Sequence, residues 1–174
     1  MRLLGEFQRD GDVVERRFTP AEVRMIGNLV RGVVEVLDGA DDPRLADDPV
    51  LRRLLPAAFP DDPDANAEFA SAVRDRLADA KAAAARRMIA DLDAAPDGLV
   101  RLDVETAGVW LRALGDLRLA LAERIGIDEL HRDVRTPHGL MYAWLTWLQG
   151  GLIEAVDPEA AGPEDDSAED AGPE

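Results

Sequence analysis

Apolar residues recur along this chain with two periods, and the switches between them predict its elements. Residues 2–8 (RLLGEFQ) and 13–18 (VVERRF) alternate imperfectly on either side of Arg9-Asp10-Gly11-Asp12. Asp-Gly between two partly apolar runs predicts a β-hairpin. A lone hairpin is marginal and must pack on something; Leu99-Val100-Arg101-Leu102 offers a third short strand. From Thr19 the period becomes helical. Thr19 caps, Pro20 occupies the first turn and Glu22 completes a capping box. The helix runs to about Asp38, with Val23, Ile26, Leu29 or Val30, Val33 or Val34, and Leu37 on one face, and Gly39 ends it. Residues 39–49 read as a loop, and Pro49 opens a short helix closed by Pro56. A long helix follows from about Ala65 to Asp93, with Phe69, Val73, Leu77, Ala80, Ala84, Met88 and Leu92 as its seam.

The stretch from Asp103 to Ile127 is the best-specified helix, and the chain reads as organised around it. Asp103 caps it, Glu105 meets the positive end of its dipole and Gly126 suits the residue just beyond its end. Val104, Ala107, Leu111, Leu114, Leu121 and Ile125 form a heptad-like seam, with Trp110 and Leu117 on an adjoining stripe. Arg118 breaks that seam and calls for water or a carboxylate. Arg112 and Asp116 are spaced to pair along the helix. After a short predicted helix at ELHRD, Thr136-Pro137 starts the last helix, about 137–156. This helix is apolar nearly all round, so it is central or covered by a partner. Its Gly150-Gly151 pair reads as a kink or a close backbone approach. The expected fold is mainly α: an orthogonal or antiparallel bundle of about five helices, with a small N-terminal hairpin of two or three strands.

Charge separates the domain from its end. Of the 36 acids, nine lie between Glu154 and Glu174 with no base among them, so −9 of the net −16 belongs there and −7 to residues 1–153. Residues 1–156 are expected to form one helical domain and 157–174 a disordered acidic tail. No cysteine is present, which removes disulfides, thiolate catalysis and cysteine-ligated zinc. No secretory signal or membrane-length apolar run is visible, so the expectation is cytoplasmic. An acidic chain with no arginine stripe also argues against direct nucleic-acid binding, including a winged unit built from the hairpin and first helix.

No catalytic constellation emerges. Asp62, Asp64 and Asn66 alternate like the start of a calcium loop, but Ala67 stands where the turn glycine belongs and Val73 where the glutamate belongs. His131 and His138 lack metal-ligand spacing. Ser71 and Ser167 have no nucleophile motif. No cofactor is implied. The residues that remain as weak partner-binding candidates are Trp144, Trp147, Arg112, Asp116 and Arg118, with the tryptophan pair more often core than interface.

Three blocks then carry a resemblance: DPVLRRLLPAAF (48–59), VWLRALGDLRLALAERIGI (109–127) and YAWLTWLQGGLIEAV (142–156). They resemble an actinobacterial family built on a domain of unknown function that includes the AosR-like regulators. The resemblance spans most of residues 1–156 and leaves out the tail. It implies a mainly helical fold and a regulator or adaptor that contacts another protein, a sigma factor or a Clp protease component, since the family is often linked to the Clp adaptor gene. Some members are redox-responsive through a cysteine pair, which this chain cannot form. The alternative is a small-molecule-binding protein or enzyme using carboxylates and arginines in a helical pocket. A homo-oligomer joined through the last helix is also compatible with the pattern.

Overall fold

The computed structural model describes residues 5–56, 63–126 and 136–157, with only the backbone described at 63–72. The hairpin forms as β1 (Gln8–Asp10) and β2 (Val13–Arg17), and β3 (Leu99–Asp103) joins it, all antiparallel in the order β1-β2-β3. Asp10 pairs with Val13, so the turn residues are Gly11 and Asp12, and only Gly11 has positive φ. That is the demand of a type II′ turn rather than the type I′ turn that Asp-Gly usually makes.

The helices are α1 (Pro20–Asp38), α2 (Pro49–Leu54), α3 (Pro63–Asp93), α4 (Val104–Ile125) and α5 (Pro137–Val156), with a 3₁₀ turn at Pro43–Leu45. Their starts are fixed as the side chains dictate. Thr19 and Glu22 form the reciprocal capping box, while Asp48, Asp103 and Thr136 accept from the amides of Leu51, Thr106 and Gly139. Gly126 closes α4 at φ 63°. Gly98 is also obligatory, at φ +77°, because an added Cβ would stand 2.2 Å from the Phe18 carbonyl oxygen. Among the described residues, no helix is long and apolar enough to cross a membrane.

Helix α4 is the hub: it packs against α1, α2, α3 and α5 and follows β3 without a loop. Its most buried residues are Ala107, Trp110, Ala113, Leu114, Leu117 and Ala120. The stripe that looked secondary, Trp110 and Leu117, is therefore the centre of the core, and Val104 of the expected seam is exposed. Trp110 keeps its indole N–H satisfied by donating to Asp91 Oδ2 at 2.9 Å. The seam of α3 holds only from Ala84 to Leu92, with Ala78, Ala82 and Ala85 also buried, whereas Val73 and Leu77 face solvent. Helix α5 lies at the side of the bundle, burying Leu145, Leu148, Leu152 and Ala155. Asp64, Asn66 and Phe69 fall within α3 by their backbone, with their side chains outside what is described, and Asp62, the ELHRD helix, Ile127 and residues 158–174 lie outside it altogether.

Candidate functional site

The chain's least ordinary packing lies where the hairpin meets α5. Val14, Arg16 and Phe18 all turn inward from β2, and Arg16 is only 2% exposed. Its guanidinium carbon lies 4.1 Å from the Phe18 ring centre, 5.6 Å from Trp147, 5.8 Å from Phe7 and 6.0 Å from Trp144. Such contacts are electrostatically favourable, the more so away from water. Arg16 Nε donates to the Gly5 carbonyl at 2.6 Å and Nη2 to Glu22 Oε1 at 2.7 Å, while Nη1 is buried with no acceptor. Burial pushes the Glu22 carboxyl up, but the Thr19 amide and the Arg16 guanidinium outweigh it and hold it below its ordinary value. Arg16 thus ties the hairpin, the start of α1 and the two tryptophans of α5 into one unit.

Beside this unit runs a groove of about 430 Å³, lined by Glu6, Phe7, Arg9, Trp147, Leu148, Gly150, Gly151, Glu154 and Ala155. Trp147 is 46% exposed, so it lies at the surface rather than in the core, and Trp144 is half-buried beside it. Arg9 bridges the groove's two walls by donating to the carbonyls of Gly11 and Val156, each at 2.9 Å. The glycine pair divides in role. A Cβ on Gly151 would touch Phe7 Cδ2 at 4.0 Å, whereas one on Gly150 would meet nothing within 4 Å. Helix α5 runs unbroken through both, although each glycine costs about 1 kcal/mol relative to alanine.

The other candidates fall elsewhere. Asp116 pairs with Lys81 across the α3–α4 contact instead of with Arg112 along its own helix. The two form part of a second groove, about 280 Å³, with Leu77, Ala80, Ala84 and Arg112. Asp116 is buried at the helix interface, and the cation in reach there is on α3. Arg118 is partly buried, and among the described residues it has no carboxylate partner. It donates to Gln149 Oε1 at 2.6 Å and Tyr142 Oη at 3.2 Å, with its guanidinium carbon 5.2 Å from the Tyr142 ring centre, and its Nε is buried without a partner. Gln149 in turn donates to the Leu111 carbonyl at 3.1 Å, so these groups join α4 to α5. Arg118 lines neither groove. His138 is exposed at the start of α5, His131 lies outside the described residues, and no metal-binding cluster occurs among the described residues.

Arg16, Phe7, Glu6, Arg9 and Glu154 stand in no recognisable motif. One signal was present. The alternation in VVERRF is perfect if Arg16 counts as inward, and an arginine at an inward strand position announces a buried ion pair or a ring cage.

Comparison with known proteins places the chain. It is 31% identical over 184 residues to the "Oxidative stress regulator AosR" of Mycobacterium tuberculosis, covering 83% of each chain. The protein of the same name from Mycobacterium bovis matches to the same extent. A relative from Mycobacterium leprae is 34% identical over 145 residues, 71% of this chain and 66% of its own. No solved structure matches. Residues 4–156 match the family described as "Domain of unknown function (DUF2017)", and the chain belongs to that family.

Proposed function

We propose that this protein is a non-catalytic regulator that acts by binding another protein, with the groove between the hairpin and α5 as its contact face. The observation that carries the reading is Trp147. An indole this exposed, held against a buried arginine and bordered by a ready groove, has the form of an interaction hot spot. Leu140 at 60% exposed and Ile153 add further apolar surface to the same helix. The relatives named as oxidative stress regulators support a regulatory role. Without cysteine, a thiol switch is closed to this chain.

Against the enzyme alternative stands the place of Arg118, which is engaged between two helices and lines neither of the two grooves described above. Against the winged DNA-binding alternative, the hairpin's cations are held by the chain itself. Arg9 and Arg16 are engaged within the chain, and Arg17 pairs with Asp97. In-cell crosslinking of the tagged full-length protein, with and without peroxide, tests the proposal. A stoichiometric protein complex is expected, and a chain that remains uncomplexed under both conditions would overturn it.

A further inference from the structure

We infer that the groove beside Trp147 takes an apolar segment of a partner protein that carries arginine or lysine next to its anchor residue. This rests on the protein-contact reading above and adds the partner's chemistry. The groove offers apolar surface from Phe7, Leu148, Ala155 and the Trp147 ring, with the backbone laid open at Gly150 and Gly151. Two carboxylates, Glu6 and Glu154, line it, and among the described residues neither has an ion-pair or hydrogen-bond partner. The single cation of the lining, Arg9, is already engaged by two carbonyls. A carboxylate pair beside an indole face receives a guanidinium or ammonium through both charge and the ring quadrupole.

Gly150 gives a second, independent indication. No neighbour in the described structure needs glycine there, since an added Cβ would enter open space. A helix interior that carries glycine without a packing reason has a cost in propensity, and what the missing side chain does leave is room in the groove. Charge decides between occupants. A second copy would bring another −16 against these carboxylates, and this chain's own segment after Glu154 holds eight more acids and no base. Both repel the groove, whereas a basic segment is drawn to it and steered by the whole acidic surface.

The test places the photoreactive residue p-benzoylphenylalanine at Ile153 of the full-length protein, exposed next to Glu154 but outside the groove lining, with the exposed Asp10 next to Arg9 as a second position and Val73 on α3 as the control. Each variant is confirmed as folded by circular dichroism, irradiated in cells of its source, and its adducts are sequenced. The expected adducts at 153 or 10 fall on partner segments with arginine or lysine within one helical turn of an apolar residue. Their yield drops roughly tenfold when Glu6→Gln and Trp147→Ser are added. Adducts on this chain's residues 157–174, on a second copy, or on acidic or uncharged segments overturn the inference, as does their absence at both positions beside the groove. Adducts at Val73 alone overturn it while leaving the protein-contact reading standing.

Discussion

Replacing Gly150 with alanine should make the protein more stable, and the size of the gain follows from the structure. In a helix interior glycine is about 0.8–1.0 kcal/mol less favourable than alanine, because it gives up more backbone freedom on folding. That gain is realised only if the new methyl group fits. At Gly150 it meets no atom within 4 Å, so nothing subtracts from it. The expectation is about 1 kcal/mol of added stability, or roughly 2–4 °C in Tm for a chain of this size. Gly151→Ala should gain as much, since its Cβ makes an ordinary van der Waals contact with Phe7 Cδ2 at 4.0 Å. Gly98→Ala supplies the opposite sign. It forces a side chain onto φ +77° and into the Phe18 carbonyl oxygen at 2.2 Å, at a cost on the order of 2 kcal/mol or more. Urea unfolding followed by far-ultraviolet circular dichroism measures all three. A lower midpoint for Gly150→Ala would refute the reasoning, because it would mean that the fold itself requires glycine at that position. A gain in stability joined to a loss of partner crosslinking in Gly150→Leu would separate what the glycine does for binding from what it does for the fold.

Three further outcomes are expected. The Glu22 carboxyl is held below its ordinary value, so its contribution is fully present above the unfolded carboxylate pKa of about 4.3 and is lost as pH falls through the lower folded value; Glu22→Gln should therefore destabilise most at neutral pH and progressively less as the solution is acidified, and destabilisation that does not change with pH would sink the linkage. Lys81→Met leaves the buried Asp116 carboxylate unpaired and should cost about 2–3 kcal/mol, while adding Asp116→Leu should recover most of it; additive losses in the double-mutant cycle would show that the pair does not couple. Acrylamide should quench Trp147 far more than the fully buried Trp110, so Trp147→Ser should remove most of the quenchable emission, and an unchanged quenching curve would show that the indole is covered.

Much of the fold was legible because its signals are local. Thr19-Pro20-Ala21-Glu22 and Thr136-Pro137 carry their own hydrogen-bond logic, and the caps form where those residues stand. The α3 seam misled because periodicity says that a face is apolar without saying what lies beside it. At 31 residues α3 is about 46 Å long, while α1 and α4, the helices packed on it, have 19 and 22 residues. Part of its apolar stripe therefore runs on without cover, and Val73 and Leu77 stand in solvent. Lys81 carried a signal that went unread. It is the only lysine among twenty basic residues, and it answers a buried aspartate on another helix.

The groove was illegible for a different reason: its walls come from opposite ends of the described chain. Glu6, Phe7 and Arg9 meet Trp147 through Ala155 only after β2 and β3 have fixed the hairpin on the bundle, and the Arg9–Val156 hydrogen bond spans 147 positions. No window of sequence contains both sides. The glycine pair in α5 nevertheless admits two local explanations, a kink or a close approach, and each can be set against the atoms around it. The helix continues through both glycines, and Phe7 stands beside Gly151 at ordinary contact distance, close enough to touch a methyl group but not to exclude one. Among the described residues, none accounts for Gly150. On the proposed reading, a residue type that lowers helix stability and answers to no described neighbour leaves room for the partner, and the carboxylates of Glu6 and Glu154 in the same groove define the charge that partner should carry.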